Sequence, residues 1–487
     1  MNRNSHHCNK PLNEVTIVKR FREIGAEIIA AIFFLILAAT ALTWTIVAQD
    51  VAIPVLIVFI GTYAVISSEK VNRTATSLLG MALVGAVLFV GFGMGLIGVD
   101  NPSHSIFQEL ILRVEWDTIL FVTAMMIIVS VAGASGLFQF IALKIAAPSG
   151  GSHKKLFVTF LVFVAGISLF FDTVSTMLII APLTIEICKA LEIDFKPFLV
   201  SEAIVCNFSS IPSIVGAVPN LVIAGYTNLD VGFLFITFMP LSIILFLVSL
   251  PILLRWYGSR FGTTDQYRVD AVFSIDPHTM IKDELEFNVS VVAIIILIVG
   301  FAIGPSLGII PPMVALMVAA FMLLLSHERA EDFLNKVGWG TVFFLIGLFG
   351  LVVALDITGL IDALGDWVGS IIGNNAAFAT VFLIWIPAML SAFLDNLPVS
   401  AVLAPIAYNF ASLSPVLPLA LVFAVNIGGY IFTPLGSPAN MVVIGLSEEQ
   451  HDPIPFIEFI KIGTILGFIH LAIGSGYLLL VMMLLGG

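Results

Sequence analysis

The chain has 487 residues, 59% of them hydrophobic and 11% charged, with 40 Phe and a formal net charge of −12. A soluble domain is nearer a quarter charged, so the composition excludes an ordinary soluble protein and places the chain in a lipid bilayer. The charges fall in loops and say little about partners. No nucleic acid and no cofactor are expected, and Cys8, Cys188 and Cys206 show no disulfide or metal spacing.

The length allows about ten to twelve spans at about 20 residues each. Residues 1–24 are polar and basic, lack a cleavage site, and carry Arg3, Lys10, Lys19, Arg20 and Arg22. They read as a cytoplasmic tail, with His6, His7 and Cys8 solvated rather than metal-bound. An extra N-terminal span occupies 25–48. A first repeat follows over 49–254, with spans near 51–67, 77–97 and 117–143 and an outer amphipathic segment over 99–115.

Residues 156–188 are apolar except around Asp172-Thr173 and Glu186, and Lys flanks both ends. Both ends therefore face the cytoplasm. Two arms of about 15 residues rise about 22 Å each, short of the ~30 Å hydrocarbon core, so a re-entrant hairpin with Asp172 at its tip is expected. The next span, 198–226, is interrupted at Asn207-Phe208-Ser209-Ser210-Ile211-Pro212. Span 231–254 ends the repeat, and 255–286 is a cytoplasmic linker.

The second repeat, 287–487, follows the same plan. Spans fall near 287–303 and 313–325, and a third over 341–372 is broken around 356–359. A second hairpin over 376–410 carries Asp395 at its tip. A broken span over 419–444 follows, and a last one over 456–485. Numbers differing by 223 pair Asp172 with Asp395, Ser168 with Ser391, Trp116 with Trp339 and Gly136 with Gly359, without a gap from 114 to 182. That is an internal duplication. On this topology only Arg113 of the 20 Lys and Arg lies outside. Five spans plus one hairpin per repeat is an odd number of crossings, so the repeats are inverted. The expectation is an all-α polytopic membrane protein of about 11 transmembrane helices plus two re-entrant hairpins, N-terminus cytoplasmic, in the cell membrane.

Broken helices at membrane depth mark transport sites. Asp172 and Asp395 lead the candidates, because a carboxylate in the bilayer is costly and functional by default. The competing reading is a helix cap, and the two roles are compatible. Thr173, Ser175 and Thr176 surround the first, Asn396 the second. Asn207, Ser209 and Ser210 mirror Asn426, Gly428 and Gly429, while Thr433, Ser437 and Asn440 supply oxygens after the second break. Such oxygens suit Na⁺ at the hairpin tips, and half-helix N-termini suit an anion. No other metal site is expected. Glu202 reads as a boundary residue, Asp356 as a proton-linked candidate, and His470 as packing. No Lys or Arg lies in the predicted core, so a bound anion relies on helix dipoles, hydroxyls or a co-transported cation.

The segments Val114-Glu115-Trp116-Asp117-Thr118-Ile119-Leu120-Phe121, Phe171-Asp172-Thr173-Val174-Ser175-Thr176 and Thr433-Pro434-Leu435-Gly436-Ser437-Pro438-Ala439-Asn440 resemble the ion transporter superfamily. The likeness is to the branch with a citrate transporter-like domain that holds arsenical pump membrane proteins, the P protein and a sodium/proton antiporter group. It covers about residues 50–485. Three first-half motifs depart from the family. Its Asp-Asn reads Asp172-Thr173. Its Asn-Ile-Gly-Gly reads Asn207-Phe208-Ser209-Ser210, and its Gly-Asp-Pro-Pro-Asn reads Gly216-Ala217-Val218-Pro219-Asn220.

The expected function is secondary active transport of a small inorganic ion or anion by alternating access, coupled to Na⁺ or H⁺. An arsenite or organic-anion permease of the same fold is the alternative. A channel lacks its tandem filter sequence. An intramembrane aspartyl protease is remote, since its Gly-x-Gly-Asp motif is approached only by Ala363-Leu364-Gly365-Asp366. No enzyme activity is expected, and the partners are the transported ion, the bilayer and, as an open expectation, a second copy in a homodimer.

Overall fold

A computed structural model of the chain describes residues 14–68, 70–99, 104–274 and 276–485. His6, His7 and Cys8 lie outside the described residues. The described chain is helical throughout and forms no β-strand. In order, α1 (Glu14–Ala48), α2 (Ala52–Ser67), α3 (Arg73–Gly93) and the short α4 (Ile106–Leu112) lead into α5 (Trp116–Ala134) and α6 (Leu137–Ala146). Then come α7 (His153–Ile167), α8 (Thr173–Ala190), α9 (Lys196–Ser209), α10 (Val218–Thr227) and α11 (Val231–Trp256). The linker holds α12 (Gln266–Phe273). The second half contains α13 (Glu284–Ile303), α14 (Pro311–Leu325), α15 (Ala330–Asn335), α16 (Trp339–Ile357) and α17 (Leu360–Ile372). It closes with α18 (Ala376–Ser391), α19 (Asn396–Phe410), α20 (Val416–Gly428), α21 (Pro438–Glu449) and α22 (Phe456–Leu484).

Among the described residues, 8 helices are long and apolar enough to cross a membrane, and shorter apolar helices accompany them. The chain is an all-α polytopic membrane protein. The element boundaries keep the offset of 223. Trp339, Leu360, Ala376 and Asn396 begin α16, α17, α18 and α19, each 223 positions beyond the first residues of α5, α6, α7 and α8.

Three expectations change in detail. The helix expected from residue 25 already runs at Glu14, so part of the predicted tail is helical. The first broken span begins two residues earlier than its hydropathy suggested, and the second starts at Val416. Pro418 then falls in the first turn of α20, where its missing N–H has no intrahelical partner to lose. The span expected unbroken over 117–143 is cut between α5 and α6 at Gly136, whose φ is +88°. A Cβ there would meet the carbonyl oxygen of Met280, and Lys282 N donates to Ser135 O at 3.0 Å. Linker backbone thus occupies the break. Gly359, with φ +71°, makes the matching break between α16 and α17.

The helices fall into two compact units, one of Met1–Val114 with Phe343–Leu360 and one of Glu115–Val342 with Ile361–Gly487. In the first, α1, α2 and α3 pack together, and Gly347 and Gly350 let the α16 portion approach Ser77 and Met81 of α3. Arg113 there donates to Asp356 Oδ2 at 3.0 Å, which gives that aspartate a basic partner. The second unit contains both hairpins, both broken spans and every residue of the candidate site.

Candidate functional site

Each hairpin turns on an aspartate that caps its second arm. Asp172 Oδ1 accepts from Val174 N at 3.0 Å and Ser175 N at 3.1 Å, and Ser175 Oγ donates to Oδ2. Asp395 Oδ1 accepts from Leu397 N at 3.1 Å. An N-cap carboxylate satisfies orphan amides and meets the positive end of the helix dipole. Asp172 is buried and Asp395 is half-buried. Beside them, Thr176 Oγ1 donates to Phe171 O at 3.3 Å and Cys206 Sγ lies 3.7 Å from Thr173 O. The carboxylate at each tip is therefore set by local cap chemistry, while Thr173 O faces Cys206 of the neighbouring α9.

The two broken spans are tied to each other by crossed asparagine pairs. Asn207, near the end of α9, donates from Nδ2 to Asn440 Oδ1 in α21 at 3.0 Å. Asn426, near the end of α20, donates from Nδ2 to Asn220 Oδ1 in α10 at 2.6 Å. The exchange extends to whole helices, since α10 packs on α19 and α21 packs on α8. First copy touching second, and second touching first by the same elements, is a two-fold relation.

Asn220 and Asn440 also hold the unwound segments in shape. Asn220 Nδ2 reaches Ser213 O at 2.8 Å and Ser210 O at 3.2 Å. Asn440 Nδ2 reaches Gly429 O at 2.7 Å and Pro434 O at 3.2 Å. Carbonyls released by a helix break thus find side-chain donors, as burial demands.

Small residues let these segments meet the hairpin tips. A Cβ on Gly216 would meet Ser168 O, and one on Gly436 would meet Ser391 O, the same contact in both copies. A Cβ on Gly428 would meet Ala388 O and lie 2.8 Å from Ser391 Cβ. Ser391 Oγ in turn donates to Val425 O at 2.8 Å, and Thr433 Oγ1 donates to Ala392 O at 2.7 Å. In the first copy Ser210 Oγ donates back to Asn207 O at 2.9 Å, and Ser209 is buried beside it.

Several buried polar atoms here lack any partner: Asn207 Oδ1, Asn426 Oδ1, Asn396 Nδ2 and Ser437 Oγ. The first two occupy matched positions before the two breaks. A buried acceptor without a donor costs about 1–3 kcal/mol, so two of them in register are an arrangement a cation would satisfy. Ser437 is the N-cap of α21, and its hydroxyl makes no cap bond. Neither α10 nor α21 has a side-chain cap, and Pro219 and Pro438 stand in their first turns. No Lys or Arg is among the buried residues described. A cavity of about 610 Å³ lies against the first tip and break, lined by Phe170, Pro212, Ser213 and Asp230 among apolar neighbours.

Asn207, Asn426 and Asn440 are thus site residues legible in the sequence, whereas Asn220, which the sequence pairs with Asn440, emerges as one only in the fold. Glu202, expected at a boundary, is completely buried. His470 is a buried anchor. Ser249 Oγ donates to Leu245 O at 2.7 Å, so His470 Nε2 donates to Ser249 Oγ at 2.8 Å. His470 Nδ1 is left to accept from Tyr430 OH at 2.6 Å, just past Gly429.

The chain is similar to a 46 kDa membrane protein of Mycobacterium leprae, 29% identical over 427 residues that cover 86% of this chain and 96% of that one. An uncharacterized transporter of Mycobacterium tuberculosis is 29% identical over 428 residues with the same coverage. The human P protein is 25% identical over an alignment of 510 positions that spans 88% of this chain and 59% of the P protein. Residues 63–425 match the family model described as citrate transporter. That match runs through both hairpins and ends one residue short of Asn426, and by it the chain belongs to the citrate transporter family of membrane proteins.

Proposed function

We propose that this transporter moves a small ion or small anion by alternating access, with Na⁺ or H⁺ as the coupling ion. The observation that carries the reading is the pair of unpartnered carbonyl oxygens, Asn207 Oδ1 and Asn426 Oδ1, at equivalent places beside two broken helices. A small cation at each would complete them. The crossed asparagines give the two copies a shared hinge that one copy cannot form alone. The proposed arrangement is two inverted repeats, 49–254 and 287–487, in the cell membrane with a cytoplasmic N-terminus. The hairpins would enter from opposite faces. Single cysteines at Ser152 and Asn375 test this: labelling is expected from the inside and the outside respectively, and labelling of both from one side would sink the inverted topology.

Within this reading an organic anion of the citrate class is the first substrate to try. The family description supplies the class. The uncapped starts of α10 and α21, with Ser437 Oγ free at one of them, supply amide and hydroxyl donors for a carboxylate. Purified protein in liposomes, offered citrate, arsenite and Na⁺ with sodium and pH gradients imposed separately, decides it. Uphill accumulation that collapses with one gradient is expected. Passive equilibration of every solute under both gradients would refute coupled transport.

A further inference from the structure

Glu202 lies in α9, fully buried, and nothing above gives it a role. Thr184 Oγ1 of α8 donates to its Oε1 at 2.8 Å, and its Oε2 has no partner. The titratable groups that interact with it are two thiols, Cys188 on α8 and Cys206 one turn further along α9, while the charges of α8 itself, Glu186 and Lys189, are exposed. Helices α7, α11, α20 and α21 also pack on α9. Their charges stand at helix ends: His153, Lys154 and Lys155 open α7, Arg255 closes α11, and Glu448 and Glu449 close α21. Helix α20 carries none. None of these groups bonds to Glu202.

A carboxylate removed this far from water needs a positive partner. A hard metal cation asks for about six oxygens, and the structure offers two carboxyl oxygens and one hydroxyl. A proton needs only the open Oε2. The duplication supplies a second ground. In the register of 223, Thr184 answers to Ala407, and in the register pairing Asn207 with Asn426, Glu202 answers to Leu421. The second copy packs the same place with apolar side chains, so the polar pair is an addition to one copy and not part of the shared scaffold.

We propose that Glu202 is a proton-binding site of the transport cycle. Oε2 takes one proton from water arriving from the end of α9 marked by Lys196, and the side chain passes from a charge of −1 to neutral. Glu202 stands about 10 Å along α9 from the break at Ser209. Helix α8 meets α9 twice, at Thr184 on Glu202 and at Thr173 O on Cys206, next to Asp172. Loss of the proton makes the Thr184 bond charge-assisted and tighter, and the pull on α8 reaches the hairpin tip through the second contact. The inference deepens the proton-coupled form of the function proposed above and rests on it for the cycle, while the proton site stands by itself.

Infrared spectroscopy of the full-length protein in liposomes reads the site without knowledge of the substrate. A protonated carboxylic C=O band is expected at neutral pH, absent in Glu202→Gln and shifted in Thr184→Val, which keeps the acid but removes its hydrogen bond. If Glu202→Gln fails to insert, the shift in Thr184→Val carries the test. An unchanged band in both variants would overturn the proposal. With citrate as probe, pH-gradient-driven uptake is expected to fall at least tenfold in Glu202→Gln, and unchanged pH-driven uptake would overturn its place in the cycle. If the wild type moves no probe under any gradient, the proposed function fails while the infrared band still decides the proton site.

Discussion

The two copies of the site share a backbone plan but line it differently. In the first copy, Asp172 is buried under three donated bonds, and the break is preceded by Ser209 and Ser210. In the second, Asp395 is half-buried, and Gly428 and Gly429 stand where the serines were. Gly428 exists because α18 passes close to α20, leaving no room for a Cβ beside Ala388 O. The first copy tolerates a Cβ at the equivalent place and fills it with hydroxyls. The crossed asparagines and the Gly216 and Gly436 contacts are thus common to both copies, while the surfaces around them differ. Of the two hairpin tips, the half-buried, glycine-lined one is expected to carry the larger share of gradient coupling.

The sharpest way to break this comparison is to move a residue from one copy to the other. Gly428→Ser should abolish transport and destabilise the protein by about 1–3 kcal/mol, since the added atoms meet backbone. Ser209→Gly should cost on the order of 1 kcal/mol for a helical glycine and keep transport. Uptake assays with thermal unfolding of both variants check it, and equal behaviour would dissolve the asymmetry.

Asp395→Asn removes a titratable charge but retains a good cap, so the variant should insert normally and lose gradient-driven accumulation. Asp172→Asn should affect accumulation less. Counterflow against net uptake separates the two, and the reverse order would assign the larger tip contribution to Asp172.

Next in size are the crossed pairs. Asn426→Ala leaves Asn220 Oδ1 without its donor, and Asn207→Ala leaves Asn440 Oδ1 likewise, each costing about 1–3 kcal/mol. Within each pair, double-mutant cycles should show coupling of about 0.5–3 kcal/mol, against near-additivity between pairs. Denaturant unfolding in mild detergent measures this, and additivity within a pair would remove the hinge.

The smallest effect belongs to the polar periphery. Arg260 makes a two-pronged bond to Glu458 at 2.8 and 3.1 Å but is exposed. Arg260→Gln should cost under about 1 kcal/mol and only at low salt. A larger loss would mean that this clasp, which has no matched partner in the other copy, bears on transport.

Much of this was legible in the sequence because apolar length, proline and glycine act locally. The second hairpin, expected over 376–410, is Ala376–Ser391 followed by Asn396–Phe410, and the break near Gly359 appears where expected. The break at Gly136 was hidden because its cause is distant: Met280 and Lys282 of the linker dock into it. Glu202 looked like a boundary residue because Lys196 stands near it in the chain. Packing of α7, α8 and α21 around α9 buries it instead. The asparagine partners were individually visible, but which pairs with which depends on the two-fold exchange, a property of the assembled unit and not of any segment.

The crossed asparagines also set a schedule for biogenesis. Asn220 and its partner Asn426 are 206 residues apart in the chain. At a synthesis rate of about 5–20 residues per second, the first copy enters the bilayer roughly 10–40 s before its partner exists. For that interval Asn207 and Asn220 each lack the bond that the second copy supplies. The insertion machinery must therefore shelter an unfinished polar seam, and a ribosome stalled within the linker would release a half-protein marked for degradation by those same side chains.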